Sequence, residues 1–144
     1  RRLNQKETNQ DVALKGANIL KNNMTPILCI GETEEERKTG EYISILINQL
    51  AESSKGLDNK MIVAYEPIWA IGSGNSCNLE QIIEVSGQVK AKYGDDTPFV
   101  YGGSVNEENC QELLSQKEID GVLVGSASLS LDSFNKMIIS INSD

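Results

Sequence analysis

The chain contains no histidine. Any mechanism in which this polypeptide supplies an imidazole acid, base or electrophile is therefore excluded. Basic residues are also scarce: 13 Lys and Arg against 21 Asp and Glu leave a net charge of −8. That leaves no basic face to track a nucleic-acid backbone, although local N–H groups of an acidic protein can still hold a small anion. No apolar run is long enough to span a membrane, and no stretch reads as a secretory leader. Cys29, Cys77 and Cys110 are widely spaced and belong to no paired-ligand motif. They read as reduced thiols of a cytoplasmic chain, two of them in the core, with neither a metal nor a cofactor expected.

What is present is enough for one domain. The chain has 144 residues, 39% apolar and 24% charged, so it can bury a real core. It opens Arg1-Arg2-Leu3, without Met and in polar, helix-like sequence. With the missing histidine, this leads us to expect residues 1–144 to be part of something longer.

Four short apolar runs alternate with helical patterns: Ile27–Ile30, Met61–Tyr65, Phe99–Tyr101 and Gly121–Val124. Such alternation implies right-handed βαβ units and a parallel sheet. A leading helix over about Gln10–Asn22 would turn Val12, Ala13, Gly16, Ala17 and Leu20 inward. Thr33 to Glu36 has the capping-box pattern. After Gly40, a main helix carries Ile43, Ile47, Leu50 and Ala51 inward. Asn78 caps the next helix with Gln81 reaching back, its inner face is Ile82, Val85 and Val89, and Gly94 suits its end. Cys110, Leu113 and Leu114 mark a short helix, and Phe134, Met137, Ile138 and Ile141 the last one. An open doubly wound sheet and half of a (β/α)8 barrel both fit this order.

The most informative run is Ile62-Val63-Ala64-Tyr65-Glu66-Pro67-Ile68-Trp69-Ala70-Ile71-Gly72-Ser73-Gly74. A strand buried on both faces ends in a carboxylate, and Pro67 stops the ladder because it has no N–H. An apolar loop follows, running on through Asn75, Ser76 and Cys77. Glu66 reads as a base at a strand end beneath a lid, or more plainly as a cap or solvated carboxylate. Two further clusters follow strands: Tyr101-Gly102-Gly103-Ser104-Val105 and Gly125-Ser126-Ala127-Ser128-Leu129. They read as anion-holding turns at helix starts, or simply as tight turns.

The Glu66 run resembles the catalytic-base and flexible-loop motif of the triosephosphate isomerase family, with Ile68 and Ser73 as mild variants. Both glycine–serine clusters resemble that family's phosphate loops, Cys29–Glu32 with Arg37 its structural strand-five region, and Arg1-Arg2 the end of the stretch after strand four. The resemblance runs from strand five to the last helix. It implies the C-terminal half of a (β/α)8 TIM barrel, four parallel strands alternating with helices. It also implies an isomerase of glycolysis and gluconeogenesis, interconverting dihydroxyacetone phosphate and glyceraldehyde 3-phosphate through an enediol. Glu66 would move the proton. The N–H groups of Gly72, Ser104, Gly125 and Ser126 would hold the substrate phosphate, and Pro67–Cys77 would be the lid. Ser126 replaces the family's commoner Gly and lacks its freedom at positive φ. The family is homodimeric, so a second copy and the missing N-terminal half are the implied partners. Without that half's lysine and histidine, this chain is expected to be inactive alone. The alternatives are a non-catalytic phosphate-binding half-barrel or a self-associating structural fragment.

Overall fold

A computed structural model describes Arg2 and residues 4–71 and 77–141. Helix α1, Asn9–Lys21, starts behind a reciprocal capping box between Thr8 and Asp11 that the sequence pattern did not single out. Strand β1, Ile27–Ile30, is followed by α2, Glu34–Lys38, whose box joins Thr33 and Glu36 as expected. After Gly40 comes α3, Tyr42–Ser53. Its buried residues are Leu46, Leu50 and Ser53, with Ile43 and Ile47 only flanking them. Leu50 is inward as expected, Leu46 and Ser53 are buried beyond the expected set, and Ala51 is only half-buried.

Strand β2, Ile62–Tyr65, leads to α4, Leu79–Tyr93, with Ile82, Val85 and Val89 inward. Asn78 caps α4 by accepting from the Glu80 N–H at 2.9 Å. Gln81 does not complete a box, because its Oε1 faces the Cys77 thiol at 3.6 Å. Strand β3, Phe99–Tyr101, and α5, Cys110–Leu114, fall where the pattern put them. Strand β4 is shorter than expected, Gly121–Val122. The Leu123 N–H still reaches the Tyr101 carbonyl at 2.8 Å, but no further strand among the described residues prolongs the ladder. Helix α6 is Leu131–Ile141.

The four strands are parallel and lie side by side in chain order. A doubly wound sheet reverses its order at a switch point. No reversal occurs here, so the open-sheet alternative gives way to the half-barrel arrangement. Strand alternation sorts the residues by face. Leu28, Ile30, Val63, Tyr65, Phe99 and Tyr101 are buried in one cluster with Leu46, Leu50, Ile82, Val85, Val89, Cys110, Leu113 and Met137 of the helices. The helices thus cover a single face. On the other face Ile27 is 53% exposed, and Cys29, Ile62 and Val100 are half-buried.

Helix α6 departs from expectation. Only Met137 is buried, while Phe134, Ile138 and Ile141 remain 38–44% exposed. An apolar face at helical spacing is built to pack, and α5 with the Ser126–Leu129 turn covers this one only in part.

Candidate active site

Strand β2 is hydrogen-bonded on both sides, which fixes the chain on leaving it. The Glu66 N–H donates to the Ile30 carbonyl at 2.7 Å, and the Gly102 N–H to the Tyr65 carbonyl at 2.8 Å. Tyr65 faces the helices, so Glu66 emerges on the opposite, uncovered face. Two glycines press against it. A Cβ on Gly31 would lie 1.9 Å from the Glu66 carbonyl oxygen, and one on Gly102 would lie 2.7 Å from Glu66 Cγ. Neither position accepts a side chain without moving the carboxylate or its backbone. Glu66 borders a cleft of about 340 Å³ with Cys29, Gly31, Ile68 and Ile71. Arg2 reaches this edge and donates to the Cys29 carbonyl at 2.9 Å, tying the leading segment to β1.

The loop after Glu66 is held at both ends. Pro67 is buried, and Ile68–Ala70 form one 3₁₀ turn. The Ile68 N–H donates to the Glu32 carbonyl at 3.0 Å. The Trp69 indole N–H donates to Glu32 Oε1 at 2.9 Å. The fully buried Glu32 also receives Arg37 Nη1 at 2.8 Å and the Tyr65 hydroxyl at 3.1 Å. The Arg37 guanidinium lies over the rings of Tyr42 and Trp69, 4.2 and 5.3 Å from their centroids. At the far end the Cys77 N–H donates to the Tyr101 hydroxyl at 3.1 Å. Gly72, Ser73, Gly74, Asn75 and Ser76, the middle of the expected lid, lie outside the described residues.

Burial favours the neutral forms of two phenols and a thiol here. Desolvation raises the Tyr65 phenol well above its ordinary range and the Tyr101 phenol to about 12. Desolvation also raises the Cys77 thiol, which makes it a packing residue and not a nucleophile. The cluster of Glu32, Arg37 and Trp69 exceeds what the sequence conveyed. Glu32 and Arg37 read as scaffold, and nothing in the pattern linked them to the first turn of the loop. The available signal was a lone acid two residues past a buried strand, set apart from the Glu34–Glu36 run.

Ser104 is latched to the same turn, its hydroxyl donating to the Ala70 carbonyl at 2.6 Å. Its own carbonyl accepts from the Asn109 amide at 2.8 Å. Gly125 and Ser126 follow β4 at the same end of the sheet and are exposed. They open the 3₁₀ turn Ser126–Leu129, with the Ser128 N–H on the Gly125 carbonyl at 3.0 Å. Ser126 is not among the residues at positive φ, so the backbone freedom of glycine is not required there. Glu66 and Gly102 are thus in contact, and Ser104 joins them through Ala70. Gly125 and Ser126 lie one strand beyond.

The family model of triosephosphate isomerase matches residues 1–141. The triosephosphate isomerase of Mesomycoplasma hyorhinis is 44% identical over 134 residues, which is 92% of this chain and 55% of that protein. Those of Nostoc sp. and Mycoplasma mobile are each 42% identical over 134 residues, 92% of this chain and 56% and 55% of theirs. The chain therefore spans about half the length of the curated relatives it matches.

Proposed function

The chain belongs to the triosephosphate isomerase family, and on that premise we propose that it carries the base and the phosphate grip of a triose-phosphate isomerase. The observation that carries this reading is Glu66, seated at the end of β2 between Gly31 and Gly102 at the mouth of a cleft. In this reading dihydroxyacetone phosphate binds with its phosphate on the N–H groups of Ser104, Gly125, Ser126 and Gly72. Glu66 takes a proton from the carbon beside the carbonyl. The C–H electron pair moves into the new C=C bond of an enediol as the carbonyl oxygen is protonated. Glu66 then returns the proton to the neighbouring carbon, where the C=C pair forms the new C–H bond. The hydroxyl on the first carbon gives up its proton to the group that protonated the carbonyl oxygen, and a C=O bond forms in place of the C=C bond, giving glyceraldehyde 3-phosphate. The loop Pro67–Cys77 closes over the intermediate and excludes water. Its ends are already fixed on Glu32 and Tyr101.

The sequence holds no histidine, so an imidazole that protonates the carbonyl oxygen would have to come from residues outside it. The uncovered sheet face and the apolar face of α6 would be closed by the other half of a (β/α)8 barrel, in a homodimeric, cytoplasmic enzyme. The absent imidazole favours a second reading for the isolated chain: an anion-binding half-barrel without turnover.

The test is turnover of dihydroxyacetone phosphate by the intact protein and by its Glu66→Gln variant. General-base catalysis commonly contributes about 10²–10⁴-fold, so kcat should fall at least that far while phosphate inhibition persists. Near-normal kcat in Glu66→Gln removes Glu66 as the base. Turnover by residues 1–144 alone would overturn the need for an imidazole from elsewhere.

A further inference from the structure

Glu66 reads as the base, but its seat is made by a residue with no side chain to hold it in place. Gly31 must be bare, because any Cβ would strike the Glu66 carbonyl at 1.9 Å. It lies just beyond the last residue of β1 and is buried. The N–H and C=O of an extended residue point to the same side, and successive residues alternate. The Ile30 carbonyl points to β2, where it accepts from Glu66. Both polar groups of Gly31 therefore point the other way, to the edge of β1 that has no strand beside it among the described residues. Buried backbone groups need partners.

One side chain supplies both. Gln49, on α3, accepts from the Gly31 N–H through Oε1 at 3.0 Å. Through Nε2 it donates to the Gly31 carbonyl, also at 3.0 Å. Its amide completes the ladder as a strand would. A carboxylamide offers a donor and an acceptor side by side, without charge, in this way. Gln49 is half-buried at the flank of the buried stripe of Leu46, Leu50 and Ser53 on α3, within reach of the end of β1.

We infer that Gln49 is a positioning residue for the proton-transfer step. It pins Gly31, and Gly31 fixes the backbone of Glu66 from behind, while Gly102 limits the carboxylate from the front. This rests on the reading of Glu66 as the base. Three of the four proposed phosphate-holding residues, Ser104, Gly125 and Ser126, follow β3 and β4 on the other side of β2, so Gln49 should govern the chemical step more than the anion grip.

The experiment uses the intact, active protein with Gln49→Met, which keeps the length and loses both bonds. Gln49→Glu serves as the second variant, keeping the acceptor but setting a charge against the Gly31 carbonyl. A displacement near 1 Å at a reacting group can cost about 10²-fold, and a partial shift should lower kcat by about tenfold. KM and inhibition by inorganic phosphate should stay within about twofold of wild type. The isotope effect with substrate deuterated at the transferred position should rise as proton transfer becomes more limiting. Wild-type kcat and isotope effect in folded Gln49→Met would overturn the inference and leave Glu66 as the base. Parallel loss of kcat and phosphate affinity, or failure of both variants to fold, would reduce Gln49 to a folding residue. An inactive wild type, or an active Glu66→Gln, would remove both readings together.

Discussion

Replacing Arg37 with Met should be among the most damaging changes to this chain, and a second mutation should repair it. Glu32 is fully buried, and Arg37 keeps only 14% of its side chain exposed. The Glu32 carboxylate receives three donors on one oxygen, of which only Arg37 is charged. Its second oxygen and Arg37 Nη2 have no partner among the described residues, so the pair is poorly compensated to begin with. Breaking a buried pair by removing one partner costs about 3–5 kcal/mol, because the remaining charge stays desolvated. Loss of the cation over Tyr42 and Trp69 adds about 0.5–2 kcal/mol. Adding Glu32→Gln to Arg37→Met removes the stranded charge while an amide oxygen still accepts from Trp69 and Tyr65. The double variant should therefore be more stable than Arg37→Met alone by at least about 1–2 kcal/mol, a sign that simple additivity forbids. The chain has one tryptophan, Trp69, and its indole touches the cluster. Urea unfolding followed by its fluorescence reads the effect at its origin. A cost for Arg37→Met below about 1 kcal/mol, the range of exposed ion pairs, would refute the argument. So would further loss on adding Glu32→Gln.

Two other outcomes follow from burial. Desolvation raises the phenols of Tyr42 and Tyr101 from 10 to about 12, and that of Tyr65 further. A raised acid contributes stability that is whole below the unfolded value and is lost as pH climbs through the folded one. Stability should hold below about pH 10 and fall between 10 and 12, with tyrosinate absorbance appearing together with unfolding; tyrosinate at full helical signal would contradict this. The second concerns self-association: the apolar side chains of Ile27, Leu129, Leu131 and Ile139 are 53–89% exposed on the faces that carry them. Sedimentation of residues 1–144 should show a concentration-dependent oligomer, weakened by Leu131→Lys with Ile139→Lys; a strict monomer at all concentrations would mean that these faces do not adhere.

The strands were legible because parallel strands buried by neighbours and helices are nearly continuous apolar runs, as Ile27–Ile30 and Phe99–Tyr101 show. The place of Glu66 was legible because Pro67 ends the ladder at a fixed point. The end of β4 was not, since Leu123 and Val124 are as apolar as Val122, whereas its partner β3 ends at Tyr101. The inward face of α3 was legible at Leu50 but not at Leu46 and Ser53, because which residues of α3 are fully covered depends on how α1, β1 and α4 pack on it. Glu32 and Gln49 escaped for another reason. Glu32 read only as scaffold and Gln49 carried no motif, and only three dimensions bring Trp69 to one and Gly31 to the other.

The strand order has a consequence in time. Each strand pairs with the next one along the chain, so every ladder closes a loop of a few dozen residues and none waits for a distant segment. Local connectivity of this kind keeps loop-closure entropy low and favours rapid assembly. The sheet can grow in the order of synthesis, each βαβ unit docking on the one before. A ribosome-bound chain released in stages should thus gain protease resistance in steps, first around β1 and β2, then β3. Glu66 would acquire its Gly31 support before its Gly102 limit, and the seat of the carboxylate would be finished only when the third strand arrives.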